Sequence, residues 1–176
     1  MSTAMSTAMT SETADSGLRL THATTRDAER LYRLSRPFVR SGALRERTLE
    51  RYARDAGDFL LATSGDGALA GCVALRRHPP YGTTACPGRP AVLYNFCVTG
   101  GGQGRGVGSA LLTAVLAEAL ELSVTVVYTA TTGDGRLFLR HGFTVGDGSG
   151  APAEWLAALD PSRGSRILSR TLPGMD

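Results

Sequence analysis

Three observations predict an α/β fold: a mixed, mostly antiparallel sheet of about six to seven strands with helices on both faces. Strand-like runs come first in hairpin order and later around a crossover helix. One run, Val124 to Tyr128, is apolar almost throughout, the pattern of a strand buried on both faces. The third is a glycine-rich segment, Gly100 to Gly108, set between the apolar run Ala91–Val98 and a long helical stripe. It marks a strand-to-helix turn.

In chain order, Leu18 to Ala23 is predicted as the first strand. Thr25-Arg26-Asp27 opens a helix with Leu31, Leu34 and Phe38 on one face. Leu44 to Ala56 is predicted as a second helix with Leu49, Tyr52 and Ala53 inward. Phe59–Ala62 and Ala68–Leu75 read as strands joined by the hairpin signal Gly65-Asp66-Gly67. His78 to Pro90 is a Pro/Gly-rich loop, long enough to suggest a functional role. After the Ala91–Val98 strand, a helix from Gly106 to about Leu122 carries Val107, Leu111, Val115 and Leu122 on one stripe. Gly135 to His141 is a short helix, Phe143-Thr144-Val145 a strand, Ala153 to Leu159 a helical turn, and Ile167 to Leu172 the last strand.

Composition bounds the function. The 176 residues suit one domain, placed at 17–176, behind a tail over 1–16 with no apolar pattern and no signal-peptide character. With 42% hydrophobic and 20% charged residues, the chain is that of a soluble globular protein. No stretch approaches the ~18 apolar residues of a membrane span. The net charge of +3, with no basic–aromatic interleaving, argues against nucleic acid. The cysteines Cys72, Cys86 and Cys97 lack metal-ligand spacing, so no metal is expected. A reducing cytoplasm is the expected compartment. Oligomeric state is not encoded legibly, and a homodimer stays open.

The glycine turn carries the chemistry. Unpaired N–H groups and the helix dipole at such a helix start suit a phosphate-bearing ligand. A Walker loop requires Lys, and this chain has none: all 19 basic residues are Arg. The dinucleotide pattern G-x-G-x-x-G fits no register from Gly100 to Ser109. What remains is Gln103-x-x-Gly106-x-Gly108 after a strand ending in Val98. This resembles the acetyl-CoA diphosphate loop of the GNAT acyltransferases, and the order of elements resembles the GNAT fold from about residue 18 onward. Arg136-Leu137-Phe138-Leu139-Arg140-His141-Gly142-Phe143 is similar to the family's short helix and Gly-Phe. Four shorter segments resemble amino-acid N-acetyltransferases of the N-acetylglutamate synthase type: Phe38 to Thr48, Gly71 to Leu75, Thr131-Thr132, and Trp155 to Arg166.

The resemblance implies an acetyl-CoA-dependent N-acetyltransferase acting on a small-molecule amine, an amino acid such as L-glutamate, by direct attack in a ternary complex. Another amine or acyl-CoA, in specialised metabolism or antibiotic resistance, is one alternative. A non-catalytic CoA-binding protein is another. By the same resemblance, the cofactor lies over Gln103, Gly104, Arg105, Gly106, Val107, Gly108 and Ser109, with its thioester along Phe96, Cys97 and Val98 and near Phe138. Arg47, Arg163 and Ser165 would hold a substrate carboxylate, with Arg76 or Arg77 after the third strand, and Thr131 near the acceptor. The family's usual Glu base and Tyr acid fall at Val92 and Phe138, so this chain departs from both. Tyr94, placed by alternation on the face of Val92 and Phe96, and His78 in the long loop are the catalytic candidates. His141 is expected to cap its helix.

Overall fold

The computed structural model describes residues 17–83 and 86–174; the tail expected over 1–16 lies outside them. The first strand, β1 (Arg19–His22), leads through a 3-10 turn into α1 (Ala28–Arg40). The Asp27 carboxylate accepts the Thr24 N–H at 2.8 Å, which fixes where the turn begins. α2 (Leu49–Asp55) follows, then β2 (Phe59–Thr63) and β3 (Leu69–Arg77). A small hairpin, β4 (Tyr81–Thr83) and β5 (Cys86–Gly88), precedes β6 (Pro90–Val98). The rest of the chain forms α3 (Val107–Glu121), β7 (Val126–Thr131), α4 (Arg136–Arg140), β8 (Thr144–Gly146), α5 (Ala153–Ala158) and β9 (Arg166–Thr171).

Seven strands make one sheet in the order β1-β2-β3-β6-β7-β9-β8, antiparallel except for β6–β7. The predicted sheet and its helix-covered faces are therefore present. Alternation divides the core. Leu60, Ala62, Val73, Leu75 and Leu93 pack under α3 with Leu111, Leu112 and Val115. Phe59, Leu61, Cys72 and Ala74 pack on the other face under Leu31 of α1 and Tyr52 of α2.

The structure departs from the sequence expectation in several places, among them Leu122, which falls just past the end of α3 and is exposed, not part of its inward stripe. α2 begins at Leu49, because the Thr48 hydroxyl accepts the Arg51 N–H at 3.2 Å and caps the helix there. Leu49 thus occupies the first turn and is exposed, not inward. The long loop contains the β4–β5 hairpin. β7 starts at Val126, since the N–H groups of Ser123 and Val124 still close α3 on the carbonyls of Leu120 and Ala119. Finally, β6 has a bulge. Cys97 pairs with Cys72 and Tyr94 with Ala74, so Asn95 and Phe96 together oppose Val73. Asn95 takes φ +52°, a conformation Asn tolerates better than most residues, and its Oδ1 accepts the buried Tyr52 hydroxyl at 3.1 Å. Alternation breaks there: Tyr94 packs on Phe59 toward α1, while Phe96 packs on Phe138 toward α3.

β6 and β7 pair only over Pro90–Val92 and Val126–Tyr128, then part. Beyond the last pair, the Thr129 hydroxyl donates to the Leu93 carbonyl at 3.1 Å, so a side chain satisfies that carbonyl in place of the backbone ladder. Two openings flank this splay.

Candidate active site

The first opening is a cleft between the end of β6, the first turn of α3 and α4. Phe96, Cys97, Val98, Gln103, Gly104, Gly106, Val107, Gly108 and Ser109 line it, all of them predicted from sequence. Arg105 is exposed on the turn, outside the lining, and Phe138 is buried behind Phe96 at 5.6 Å between ring centres. Gly102 and Gln103 donate their N–H groups to the Thr99 carbonyl, and Arg105 donates to that of Gly102. The N–H groups of Gly104, Gly106, Val107, Gly108 and Ser109 have no acceptor among the described residues. Gly106, at φ +78°, turns the chain into the helix through a conformation other residues resist. A Cβ on Gly108 would stand 3.0 Å from Leu137 Cδ2 and 3.4 Å from the Phe96 ring. Free donors, a helix dipole and a floor without side chains fit the diphosphate and pantetheine arm of CoA.

Ser109 Oγ and His141 Nε2 are 2.9 Å apart across this cleft. His141 also caps α4, as expected, donating its N–H to Leu137 and Phe138.

The second opening is a cavity of about 430 Å³ between β6, β7, the segment before α2, and the α5–Ser165 stretch. Five predicted residues line it together: Arg47, His78, Tyr94, Arg163 and Ser165. Arg76 lines it also, while the next residue, Arg77, faces a separate hollow beside Arg89. Successive strand residues point to opposite faces, so only one of the pair can reach the cavity. Thr132 is part of the wall and Thr131 is not; the Thr131 hydroxyl accepts the Gly133 N–H at 3.1 Å.

Guanidinium groups dominate the cavity. Asp55 Oδ2 lies 3.1 Å from Arg76, 3.5 Å from Arg47 and 3.8 Å from Arg51, and Asp55 Oδ1 lies 3.4 Å from Arg54. Burial opposes its ionisation, but hydrogen bonds and charge from Arg76 and Arg54 still hold the Asp55 carboxyl below its usual range. Arg76 also grips Asp58 through Nε at 3.0 Å and Nη2 at 2.8 Å. Five arginines line the space (Arg45, Arg47, Arg51, Arg76 and Arg163) against the lining carboxylates Glu154 and Asp160; with Asp55 and Asp58 also counted, a small positive excess faces the cavity. Arg163 donates to the carbonyls of Gly42 and Ala43 at 2.8 and 3.3 Å, and Arg45 donates to that of Ala158 at 2.7 Å. These bonds tie the chain before α2 to the end of α5 and the segment after it. Both carboxylates were missed from sequence: the spacing of Arg51 and Asp55, four apart on one helix, could have found Asp55, but no pattern signals Asp58 meeting Arg76 and Tyr94.

Tyr94 does not have the surroundings of a base. Its hydroxyl donates to Asp58 Oδ2 at 2.5 Å and accepts from Arg76 at 3.0 Å, and its ring lies 4.6 Å beneath the Arg47 guanidinium. Burial, then the Asp58 carboxylate, pushes its ionisation well above the ordinary phenol value. Tyr94 is a platform for two arginines. His78 is the reverse case. Burial and the nearby Arg76 charge lower its pKa from 6.5, so at neutral pH the imidazole is uncharged and able to accept a proton.

Residues 25–143 match the model of the acetyltransferase (GNAT) family. No curated protein matched the chain. Among solved structures, N-acetylglutamate synthase from Neisseria gonorrhoeae, complexed with coenzyme A and N-acetyl-glutamate, superposes with a TM-score of 0.75 at 23% identity, covering 90% of this chain. The chain spans only 36% of the length of that synthase. Rv2747 from Mycobacterium tuberculosis, in complex with CoA, gives 0.70 at 22% identity over 88% of this chain and 99% of the other. A protein assigned as a phosphinothricin N-acetyltransferase gives 0.65 at 24% identity over 89% and 99%. At these identities the likenesses establish the fold. Among the described residues, no helix is long and apolar enough to cross a membrane.

Proposed function

We propose that this chain, which belongs to the acetyltransferase (GNAT) family, is an N-acetyltransferase with acetyl-CoA as co-substrate, and that its acceptor is a carboxylate-bearing small amine, an amino acid of the size of L-glutamate. The observation that carries this reading is the arginine-lined cavity opening beside the CoA cleft at the β6–β7 splay. About 430 Å³ suits a small metabolite, and surplus guanidinium charge suits a carboxylate, which Arg binds bidentately.

When bound, acetyl-CoA supplies an activated acetyl group. The free N–H groups of Gly104 and of Gly106 to Ser109 would hold its diphosphate, and Phe96 and Val98 would wall its pantetheine arm. Arg47 and Arg51 orient the acceptor carboxylate, with Arg76 fixed behind them by Asp55 and Asp58. His78 takes a proton from the acceptor ammonium, leaving a neutral amine for attack. Val92, Leu93, Trp155 and Leu159 line the space and limit water. Holding the two substrates together provides much of the rate.

The test is CoA release from acetyl-CoA against L-amino acids, their decarboxylated amines and a no-acceptor control, with products identified by mass. N-acetylation confined to carboxylate-bearing amines is expected, glutamate among them. Equal turnover of the decarboxylated amines would refute the proposal.

A further inference from the structure

The Ser109–His141 contact is not explained by capping alone. Ser109 is the third residue of α3, beside the free N–H groups of Val107 and Gly108, and both partners line the cleft. His141 lies at the end of α4, and its carbonyl is held by Arg170 Nη1 of β9 at 2.7 Å. One bond therefore joins the anion-binding turn to the opposite wall. We propose that Ser109 and His141 form a proton-linked part of the CoA diphosphate site, in which the protonated imidazole turns the Ser109 hydroxyl hydrogen out toward the phosphates.

The chemistry follows from donor counting. In a neutral ring Nε2 either accepts from Ser109 or donates to it. In the imidazolium both nitrogens carry hydrogen, so Nε2 must donate to Ser109 Oγ. The hydroxyl hydrogen is then free for an acceptor in the cleft. Burial, with Arg170 from β9 and Arg140 on α4, lowers the His141 pKa from 6.5, so the ring of the free protein is neutral at pH 7. Of the remaining charged groups lining the cleft, Asp134 lies 3.1 Å from Arg136. The negative charge of a diphosphate bound in the cleft would favour the imidazolium. One proton then passes from solvent to the ring as CoA binds, and it returns to solvent as CoA leaves.

The proposal rests on CoA binding at the glycine turn and not on the identity of the acceptor. Its test is titration calorimetry at pH 6.5 in two buffers of different ionisation enthalpy. The probes are CoA and 3′-dephospho-CoA, which keeps the diphosphate but lacks the phosphomonoester that titrates near pH 6. Wild type is expected to take up a measurable fraction of a proton with either nucleotide. Its affinity for 3′-dephospho-CoA should tighten about fivefold from pH 8 to pH 6. His141→Gln should abolish the uptake and flatten the pH dependence while leaving the melting curve intact. Ser109→Ala keeps the ring, and should weaken binding at pH 6 more than at pH 8. The idea is overturned if 3′-dephospho-CoA binds wild type without proton uptake, if the uptake survives in His141→Gln, or if Ser109→Ala weakens binding equally at both pH values. Failure of wild type to bind either nucleotide would remove the CoA site itself, and this proposal with it, while acceptor turnover reports separately on the amino-acid reading.

Discussion

The CoA cleft and the acceptor cavity share one strand, β6, yet are made from different parts of the chain. The cleft is mostly backbone: a run of N–H groups, a left-handed glycine at Gly106 and a bare approach at Gly108. Its anion-binding turn comes from one continuous segment, Val98 to Ser109. The cavity is mostly side chain: Arg47 from before α2, Arg51 from α2, Arg76 from β3, His78 from the following loop, and Arg163 from after α5. Backbone recognition needs particular glycines in sequence. Side-chain recognition needs distant residues brought together by the whole fold.

Substitutions can break or sharpen this contrast. The largest effect is expected at His78. His78→Ala should lower kcat about 10²-fold. In wild type, the rate should fall as pH drops through the lowered His78 pKa, on an acid limb below 6.5. That limb should vanish in the variant, and a pH–rate profile checks both. Arg47→Ala comes next. The acceptor KM should rise about 30-fold, with the KM for acetyl-CoA changed less than about twofold. Gly108→Val should do the converse: the Kd for CoA should rise about tenfold by calorimetry, because the new side chain meets Leu137 and Phe96. If either variant weakened both substrates alike, the two sites would be one coupled unit and the contrast would fail.

The sequence made the cleft legible for this reason. Gln103-x-x-Gly106-x-Gly108 after an apolar strand is a local pattern, and nine of the predicted residues line the opening. The strand and helix order was legible as well, because periodicity is local. The cavity was readable only in part. Arg47, His78, Tyr94, Arg163 and Ser165 converge, but the partition between Arg76 and Arg77, or Thr131 and Thr132, depends on strand phase at one residue. Tyr94 was the instructive case. Its place on β6 was readable, but its partner Asp58, between α2 and β2, was not, and that carboxylate decides what the phenol does.

Two smaller effects bear on the scaffold. Asn95→Val should cost about 2 kcal/mol in denaturant unfolding, from strain at φ +52° and loss of the Tyr52 hydrogen bond. It should disturb both sites together, unlike Arg47→Ala or Gly108→Val. Away from both, exposed His22 lies 3.2 Å from half-buried Glu118, a pair joining β1 to α3. That hydrogen bond, against the opposing effect of burial, raises the His22 pKa. The contribution is therefore fully present below pH 6.5 and is lost as pH rises through the raised value. Glu118→Gln should lower Tm by about 2 °C at pH 5.5 and by nothing measurable at pH 9.

The bulge at Asn95 works like a change of reading frame within one strand. Before it, Val92 and Tyr94 are spelled toward the acceptor; after it, Phe96 and Val98 are spelled toward the cofactor. An uninterrupted strand would put Tyr94 and Phe96 on one face, and each wall would inherit the other's constraints. With the frame shifted, mutation upstream of Asn95 can explore new acceptors while the acyl-donor wall stays as it is, and mutation downstream can do the opposite. A single extra residue thus divides one strand into two independently evolvable halves.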